Sequence, residues 1–299
     1  MIASITIAYM PDLNSLQRQL HNLRTQVQSM LVVDNGPAGQ AREELEKICK
    51  IEGATLIPMQ FNTGIAFAQN FGIQHAITKG AEWILLMDQD SDPAENMVSL
   101  LHTALLSNPL AAAAGPSSVD QRSGRRSFFV LDNGWWPQQW APKTADFSSP
   151  PLSVGFLIAS GTLVRRTALP TPAPMRSEWF IDHVDSEWCL RTRSQGWILL
   201  GVPDAVLHHR LGDKVSRIWF LRWRQVAHHS ALRDYYMFRN SILLARQSYV
   251  PLRWKLFFLS RLVQFAGFFL VFVPQRQHRM ALMAQGLRDG LAGRTGPRL

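Results

Sequence analysis

The residues of this chain most able to do chemistry are three acids at alternate positions, Asp88, Asp90 and Asp92, which directly follow the apolar run 83–87. An uninterrupted apolar run predicts a fully buried strand, so the acids lie at its carboxyl end, where open α/β sheets bind ligands. Carboxylate oxygens suit Mg²⁺ or Mn²⁺, which commonly hold substrate phosphates beside one or two carboxylates. The pattern predicts a site for a divalent cation and a diphosphate. The structural alternative is that Asp92 caps a helix from Ala94 and the other two acids are solvated.

A second group of acids, Asp182, Asp185 and Glu187, surrounds His183 just after the apolar residues 179–181. Acids in the first turns of a helix favour the helix dipole, which is the structural interpretation. A carboxylate held beside a substrate can instead accept a hydroxyl proton, so one of these acids is a candidate general base. His209 follows another strand-like stretch. A histidine there is most often structural, but imidazole is also a common ligand for Mn²⁺-type sites.

The elements that must position these groups alternate between strand and helix patterns. Strands are predicted at 3–9, 30–33, 54–58, 83–87, 110–115, 152–158 and 196–200, and helices at 13–27, 41–51, 62–79, 93–107 and from 184. The alternation predicts right-handed βαβ units in a mostly parallel sheet, which places Asp34 on the same rim as Asp88. Asp34 is equally typical of an ordinary turn. The helix that opens at Asn62 has small residues but no Gly-x-Gly-x-x-Gly, which disfavours a dinucleotide enzyme.

Composition sets the outer limits of the fold. The chain has 299 residues, 46% of them hydrophobic, and ten tryptophans, which allow a sizeable core and argue against disorder. Residues 116–150 lose periodicity and predict a long insert, either a surface loop or a segment that contacts substrate. Cys49 and Cys189 are far apart and predict buried thiols of a reduced compartment. The first residues lack the basic region of a signal peptide, so a cytoplasmic protein is expected.

Positive charge is concentrated in the last third of the chain. Residues 207–299 carry 16 Lys and Arg against 3 Asp and Glu, a net charge of +13, whereas residues 1–206 have a net charge of −4. A basic, aromatic tail suits an anionic membrane surface, although nucleic acid could use the same charge. The apolar stretch 256–273 is interrupted by Arg261 and Gln264, and it predicts an interfacial helix rather than a membrane span. A buried core or dimer helix is the alternative. Basic residues at 253, 255, 276 and 279 and tryptophans at 219, 223 and 254 are the expected surface anchors.

Taken in order, the motifs resemble those of the family-2 glycosyltransferases, and most nearly the bacterial rhamnosyltransferases that build surface polysaccharides such as O-antigen. The resemblance covers roughly residues 3–245 and rests on the ordered set. Its parts are Asp34-Asn35-Gly36, Asn62-x-Gly64, Asn70-x-Gly72, Asp88-Gln89-Asp90-Ser91, Ser160-Gly161, Phe180-Ile181-Asp182-x-Val184-Asp185-x-Glu187-Trp188, Arg191, Gly196, His209-x-x-Gly212 and Arg233-x-Tyr235-Tyr236-x-x-Arg239-Asn240. Gly36-Pro37 and the tryptophan-rich part of the insert, 128–142, depart from the family pattern.

The resemblance implies a GT-A fold, a nucleotide-sugar donor, one Mn²⁺ or Mg²⁺ and an inverting transfer. Asp185, six residues before Arg191, matches the family's general base, with Asp182 as the second candidate. The implied metal residues are Asp90, Asp88 and His209. The implied nucleotide-sugar residues are Ala8, Tyr9, Asp34, Asn62, Gly64, Asn70, Asp88 and Gln89, of which Asp34 would bind the pyrimidine. The implied acceptor or supporting residues are Gly161, Glu187, Trp188 and Arg191.

The resemblance divides the chain into a GT-A domain at 1–215 and a basic, aromatic, helical extension at 216–299 that associates with membrane. The first domain comprises a nucleotide-binding half, 1–115, and an acceptor and base half, 116–215. The expected partners are a donor such as dTDP-rhamnose, a glycan or lipid-linked acceptor and the inner face of the bacterial cell membrane, with no nucleic acid. The alternatives are a nucleotidyltransferase, which would be expected to carry a Gly-rich basic loop after the first strand, and a non-catalytic protein that binds membrane through its basic tail.

Overall fold

The chain forms a mixed β-sheet flanked by helices, with three helices following it. The computed structural model describes residues 1–121, 124–132, 134–141, 149–170, 174–209, 214–220, 222–228, 230–273 and 276–298, and for 214–220 and 222–228 the backbone alone. The strands are β1 (Ile2–Ala8), β2 (Ser29–Asp34), β3 (Thr55–Pro58), β4 (Trp83–Asp88), β5 (Ser91–Pro93), β6 (Ala111–Asp120), β7 (Phe129–Leu131), β8 (Gln138–Trp140), β9 (Leu152–Phe156), β10 (Leu163–Arg165), β11 (Ile198–His209), β12 (Lys214–Phe220) and β13 (Arg222–His228). The helices are α1 (Leu13–Leu23), α2 (Gln40–Glu52), α3 (Ile65–Thr78), α4 (Met97–Leu106), α5 (Val184–Ser194), α6 (Ala231–Ala245), α7 (Leu252–Phe272) and α8 (Arg276–Leu291).

The sheet runs in the order β3-β2-β1-β4-β10-β6-β11-β9-β7-β8. β3, β2, β1 and β4 are parallel, as the βαβ pattern predicts, and β6 and β11 are parallel to each other. β10 lies antiparallel between β4 and β6 and makes the sheet mixed. The carboxyl ends of β1, β2 and β4 therefore meet at one rim, where Ala8 is in register with Asp34 and Ile7 with Asp88.

The core lies on both faces of the parallel strands because their side chains alternate. On β1, Ala3, Ile5 and Ile7 pack toward α3, whereas Ile2 and Ala8 join the cluster that α1 and α4 cover. Thr6 lies among the polar positions of β1, and its hydroxyl donates to the buried amide of Gln19 on α1 at 3.0 Å. A hydrogen bond of this kind removes the cost of burying two polar groups. The contact of α1 with β1 thus places a hydrogen-bonded polar pair in a largely apolar layer.

The structure corrects the predicted elements after β4. The helix expected from 93 begins at Met97, because Ser91–Pro93 form a short strand paired antiparallel to the end of β11. β6 continues to Asp120, and the insert contributes β7 and β8. The strand expected at 196–200 extends to His209 with an irregularity between Val202 and Val206. Periodicity missed β5 because a three-residue strand has no period to detect.

The C-terminal segment is not wholly helical. Backbone pairing of β12 with β13 precedes α6, α7 and α8. α7 is 21 residues long with a mean hydropathy of 1.6, so by length and composition it could cross a membrane, and its placement at the membrane interface stays a prediction. Trp254 on α7 is fully buried rather than a surface anchor, and Arg279 is buried in an ion pair with Asp234. Trp219 and Trp223 lie outside the described side chains. The division at residue 215 stays a prediction, but Trp254 and Phe258 of α7 belong to the same core cluster as the sheet.

The contact between Gly155 of β9 and Trp254 of α7 tests that packing. A Cβ at Gly155 would lie 2.1 Å from the indole, so we expect Gly155→Ala to reduce the free energy of unfolding by about 1–3 kcal/mol. Gly267→Ala is the matched control, because a Cβ at Gly267 on α7 meets nothing within 4 Å. Urea unfolding of both variants measures the difference. Equal loss in both, or none in Gly155→Ala, would contradict this packing.

Candidate active site

A cavity of about 560 Å³ opens at the rim where the parallel strands end. Its walls come from the ends of β1, β2 and β4, the start of α3, the segment before α5, the end of β11 and the start of α6. The residues that line it are Ile7, Tyr9, Asn35, Asn62, Gly64, Ile65, Gln69, Asp88, Gln89, Asp90, Ile158, Ala159, Phe180, Ile181, Asp182, His183, Val184, Asp185, His209 and Arg233. Two acids of each predicted group, Asp88 and Asp90 of the first and Asp182 and Asp185 of the second, thus face one space.

The first group consists of Asp88, Asp90 and His209, whose ligand atoms all lie within 4.8 Å of one another. β4 delivers Asp88, and pairing of Ser91 with His209 across β5 and β11 brings the imidazole to the acids. The Ser91 hydroxyl lies 2.8 Å from Nδ1 of His209 and 2.6 Å from the Ser160 hydroxyl, which fixes the ring. Two carboxylates and an imidazole held in this way form a donor set that fits Mn²⁺ or Mg²⁺.

The electrostatics of this cluster favour a positive ligand. Burial raises the pKa of Asp88 to about 6; His209 opposes the rise, and the charges of Asp90 and Asp185 add to it. Carboxylates that repel each other in a partly buried site are stabilised by a cation placed between them. Asp92, the third acid of the alternation, instead accepts a hydrogen bond from Asn22 and pairs with Arg18. The structure therefore separates Asp92 from the cluster.

The second group is carried by a bent segment before α5. Phe180, Asp182 and His183 have positive φ angles of 67°, 65° and 60°, which L residues rarely adopt outside strained functional sites. The amide of Asn240 on α6 donates to the carbonyl oxygens of Trp179, Ile181 and Asp182 at 2.7–3.0 Å and holds the bend. The segment presents Asp185 to the cavity. Burial raises the pKa of Asp185, against hydrogen bonds from backbone N–H groups, including that of Ser186 at 2.7 Å.

Asp182 and Arg233 form an ion pair at the cavity wall. Arg233 donates to Oδ1 of Asp182 at 2.5 Å and to Oδ2 at 3.3 Å. Its charge also acts to lower the pKa of Asp88. Asp182 is therefore engaged with a cation, whereas Asp185 has no arginine among the groups that shift its pKa. Of the two candidates for general base, the geometry favours Asp185.

Amide side chains build the opposite wall. Asn35, which was not predicted as a site residue, accepts hydrogen bonds from the backbone and hydroxyl of Thr63 at 2.9 Å, and Asn62 accepts from the N–H of Gly64. Gly64 has a φ of +83°, and a Cβ there would lie 2.6 Å from the ring of Phe180. Gln89 is fixed by two hydrogen bonds to the backbone of Tyr9. Gln89 and Tyr9, both predicted to bind the nucleotide sugar, line the cavity.

Three predicted nucleotide-binding residues lie elsewhere. Asp34 is buried, accepts a hydrogen bond from Arg42 at 2.5 Å and does not line the cavity. Asn70 uses its amide to hold the backbone of Met175, with hydrogen bonds of 2.7 and 2.8 Å. Ala8 is buried, and its carbonyl oxygen accepts a hydrogen bond from the backbone N–H of Asn35. Tyr9 and Asn35, which follow Ala8 and Asp34 in the sequence, line the cavity instead. Direct contact of the three predicted side chains with a ligand stays a prediction.

The predicted supporting residues pack behind the catalytic segment. Glu187 is fully buried and accepts hydrogen bonds from Arg191, Arg176 and Tyr249. Although burial acts to raise the pKa of Glu187, these bonds, led by those from Arg191, lower it. Trp188 is buried in the core, and Gly161 has a φ of +79° where a Cβ would meet Pro116 at 2.6 Å. These residues position the site and do not line it.

The sequence interpretation missed Arg233 and the apolar lining residues. Arg233 belongs to the Arg233-to-Asn240 motif, which assigns it no role. Ile158 ends a predicted strand, and Phe180 and Ile181 precede a predicted helix, so their patterns indicate structure and not a cavity wall. Ile65 and Gln69 lie in the segment from Asn62 to Gly72 that the resemblance places at the nucleotide pocket. The lining residues without a predicted role are Ile7, Asn35, Ile158, Ala159, Phe180, Ile181, His183, Val184 and Arg233.

Comparison with known proteins agrees with this geometry. The model of the family "Glycosyl transferase family 2" matches residues 4–171. The chain belongs to this family. It is also 32% identical over 251 residues to the dTDP-rhamnosyl transferase RfbF of Shigella flexneri, covering 84% of this chain and 82% of that protein. The chain is therefore a family-2 glycosyltransferase of the rhamnosyltransferase-like branch, as its motifs predict.

Solved structures confirm the GT-A fold of this family-2 chain. It matches the mannosyltransferase PcManGT from Pyrobaculum calidifontis, in complex with GDP-Man and Mn²⁺, with a TM-score of 0.58 and 15% identity, covering 100% of this chain and 76% of that one. It matches S. aureus TarS 1–349, in complex with UDP-GlcNAc, with a TM-score of 0.57 and 13% identity, covering 97% of this chain and 80% of that one. Identities this low show the fold alone.

Asp90 and Asp92 provide a matched test of the proposed metal ligands. We expect Asp90→Ala to weaken Mn²⁺ binding at least about tenfold, because it removes a carboxylate from the cluster with His209. Asp92→Ala should bind Mn²⁺ as the wild type does, since Asp92 contacts Asn22 and Arg18 instead. Titration with Mn²⁺ alone, followed calorimetrically, measures both. Equal affinities for the two variants would exclude Asp90 as a ligand.

Proposed function

We propose that the protein is an inverting, metal-dependent rhamnosyltransferase that moves L-rhamnose from dTDP-rhamnose onto a hydroxyl of a growing, lipid-linked surface polysaccharide. The observation that carries this proposal is that the Asp88–Asp90–His209 cluster and Asp185 face one cavity. A reaction between a sugar diphosphate and a hydroxyl needs a place for each partner and a separate group for the proton. The similarity to a dTDP-rhamnosyl transferase supports the choice of donor.

Asp185 takes the proton in this reaction. The acceptor oxygen attacks the anomeric carbon on the face opposite the diphosphate, so the new C–O bond forms as the bond to the phosphate oxygen breaks and the configuration inverts. The bonding electrons leave with dTDP, and the hydroxyl proton passes to the Asp185 carboxylate. Holding both substrates in line and placing a base beside the nucleophile are the two contributions that this geometry supports.

The leaving diphosphate needs positive charge. A divalent cation held by Asp88, Asp90 and His209 would act as a Lewis acid toward the charge that develops on the diphosphate. Arg233 lines the same cavity, and its planar guanidinium suits bidentate contact with phosphate oxygens. Asp182 holds Arg233 at the wall, which gives Asp182 a positioning role in place of the catalytic role that was its alternative.

The amide wall suits the nucleoside of the donor. Asn35, Asn62 and the backbone of Gly64 form a hydrogen-bonded set at the carboxyl ends of β1 and β2. Tyr9 is exposed at the same rim and offers a ring face for a base. These groups support a nucleotide position on the β1–β2 side of the cavity. The sugar then lies toward Asp185.

A membrane location fits the proposed lipid-linked acceptor. α7 exposes an apolar stripe made of Leu252, Leu256, Val263, Leu270 and Val271. We call it the α7 stripe. The chain from residue 207 onward also has a net charge of +13, which attracts an anionic lipid surface. α7 contacts the catalytic segment directly, because the ring of Phe258 packs against His183 at 5.1 Å. We place the protein as a peripheral protein on the inner face of the bacterial cell membrane.

The alternatives considered from sequence are a nucleotidyltransferase and a non-catalytic membrane-binding protein. Membership of glycosyl transferase family 2 favours neither. The basic tail, which prompted the second alternative, supplies Arg233 to the cavity and Asn240 to the catalytic segment. The tail is therefore part of the enzyme.

A donor panel with a base variant tests the proposed reaction. We expect dTDP-rhamnose to release dTDP in the presence of Mn²⁺ and an acceptor, in preference to UDP- and GDP-sugars. Asp185→Asn should reduce turnover by ~10²-fold or more while dTDP-rhamnose binding is retained, the usual scale for a lost general base. Asp182→Asn, the matched carboxylate variant, should retain more activity. Release from a UDP- or GDP-sugar alone would overturn the donor, and an inactive Asp182→Asn beside an active Asp185→Asn would move the base.

The raised pKa of Asp185 predicts a particular dependence of rate on pH. The base must be ionised, so turnover falls as the pH drops through its pKa, which burial moves above the ordinary value of about 3.9. We expect the acidic limb of kcat against pH to lie above the normal range of aspartate and to be absent from the residual activity of Asp185→Asn. An unchanged limb in that variant would assign the titration to another group.

A further inference from the structure

The tryptophan-rich part of the insert, which departs from the family pattern, forms a defined surface feature beside α7. β7 and β8 pair antiparallel from Phe129 to Trp140, and we call residues 129–132 and 134–140 the tryptophan hairpin. Trp135 is 84% exposed, the largest exposed fraction among the large hydrophobic side chains of the described chain. Burying a large aromatic surface is strongly favourable, so an indole that stays exposed to water forgoes that free energy until a partner covers it.

The tryptophan hairpin is fixed to the catalytic body by charge. The Asp132 carboxylate is buried and forms ion pairs with Arg193 of α5 and Arg253 of α7, the latter with Nε at 2.9 Å. Two guanidinium groups on one carboxylate hold the hairpin to two helices. They also leave no net negative charge at this junction. The hairpin is thus a rigid extension of the α7 end of the molecule.

Aromatic contacts continue from the tip of the hairpin to α7. The Trp135 ring lies 5.9 Å from that of Trp136, which packs edge-on against Phe257 at 6.1 Å. Phe257 precedes Phe258, the residue that contacts His183 of the cavity, by one position. The exposed tip therefore lies beside the first turns of α7, where the α7 stripe begins with Leu252, 70% exposed, and Leu256.

We infer that the tip of the tryptophan hairpin is a second contact with an anionic lipid surface, next to the α7 stripe. This inference rests on the proposed membrane location. Tryptophan combines an apolar ring with an N–H donor, and such side chains favour the interface between lipid headgroups and hydrocarbon. Asp132 is paired with two arginines, and the chain from residue 207 onward carries a net charge of +13, so electrostatic attraction to anionic headgroups supports this contact.

Two contacts at this end of the molecule do what one helix cannot. If the α7 stripe were the single contact, the whole molecule could tilt about the axis of α7 on the surface, whereas a second contact beside it, fixed by Asp132, restricts that tilt. Because α7 contacts His183, the restriction also sets the direction in which the cavity faces. An acceptor carried by the lipid would then approach Asp185 from the membrane side.

Partition of the full-length protein onto vesicles tests this inference without any transfer reaction. The vesicles are phosphatidylethanolamine with phosphatidylglycerol, and phosphatidylcholine alone as the neutral comparison. We expect wild-type protein to bind the anionic vesicles and to be released at high salt. Trp135→Ala should bind them about tenfold more weakly, a difference of about 1.4 kcal/mol. The matched control is Phe61→Ala, which removes another exposed aromatic ring, 66% exposed, in the segment between β3 and α3.

A fluorescence experiment gives a second readout that does not depend on affinity. Phospholipids brominated along their acyl chains quench tryptophans that enter the bilayer, so Trp135→Phe should lose part of the quenching seen with wild type.

Wild-type binding with equal partition of Trp135→Ala and Phe61→Ala would overturn the hairpin contact alone. A wild type that ignores both kinds of vesicle would overturn the membrane location too, leaving the donor reaction untouched. A Trp135→Ala variant with normal vesicle binding but weaker binding of a water-soluble glycan acceptor would assign the tip to the acceptor.

Discussion

The active site depends on one constraint, the bend that Asn240 imposes on residues 179–182. Backbone conformations with positive φ at Phe180, Asp182 and His183 cost of order 1–3 kcal/mol each, and an isolated segment would relax. The single amide of Asn240 donates to three carbonyl oxygens of the segment, and Arg239 fixes that amide by donating to its oxygen at 2.9 Å. Ser241, the next residue, bonds to His183. Consecutive residues of one helix thus hold the loop that leads into the first turn of α5, where the candidate base Asp185 lies.

The first site cluster is held by a comparable arrangement on the other side. Gln19 of α1 donates to the carbonyl oxygens of Asp88 and Ser91, which fixes the turn between β4 and β5. Ser91 then reaches both Ser160 and His209. Because the turn is anchored by α1 and the histidine arrives on β11, the cluster forms only when both halves of the sheet are assembled. A buried network of this kind favours one arrangement over its alternatives.

The sequence predicted those parts of the structure that have a period or a sharp break. The parallel strands, the helices between them and the acids at their ends follow from alternation and from apolar runs that stop abruptly. Asp34 and Asn70 show the limit of this reasoning, since their types suit a ligand but their partners, Arg42 and Met175, come from folding. Arg233 shows the same limit from the other side. The motif that begins at Arg233 gave it no role, and the packing of α6 against the bent segment brings it to the cavity.

The placement of α6 also changes how the C-terminal segment should be understood. Separate domains contact each other through limited, polar surfaces, whereas here Trp254 lies fully inside the core and Gly286 and Gly290 of α8 come so close to α6 that a Cβ would lie 2.4 and 2.7 Å from its carbonyl oxygens. α6 therefore has α8 behind it and the catalytic segment in front. α7 packs against α6, which carries Asn240 and Arg233, and against α8. The surface that would meet the membrane and the segment that leads into Asp185 are thus parts of one packed unit. Attachment of this end to a lipid surface would therefore orient the reaction as well as localise it.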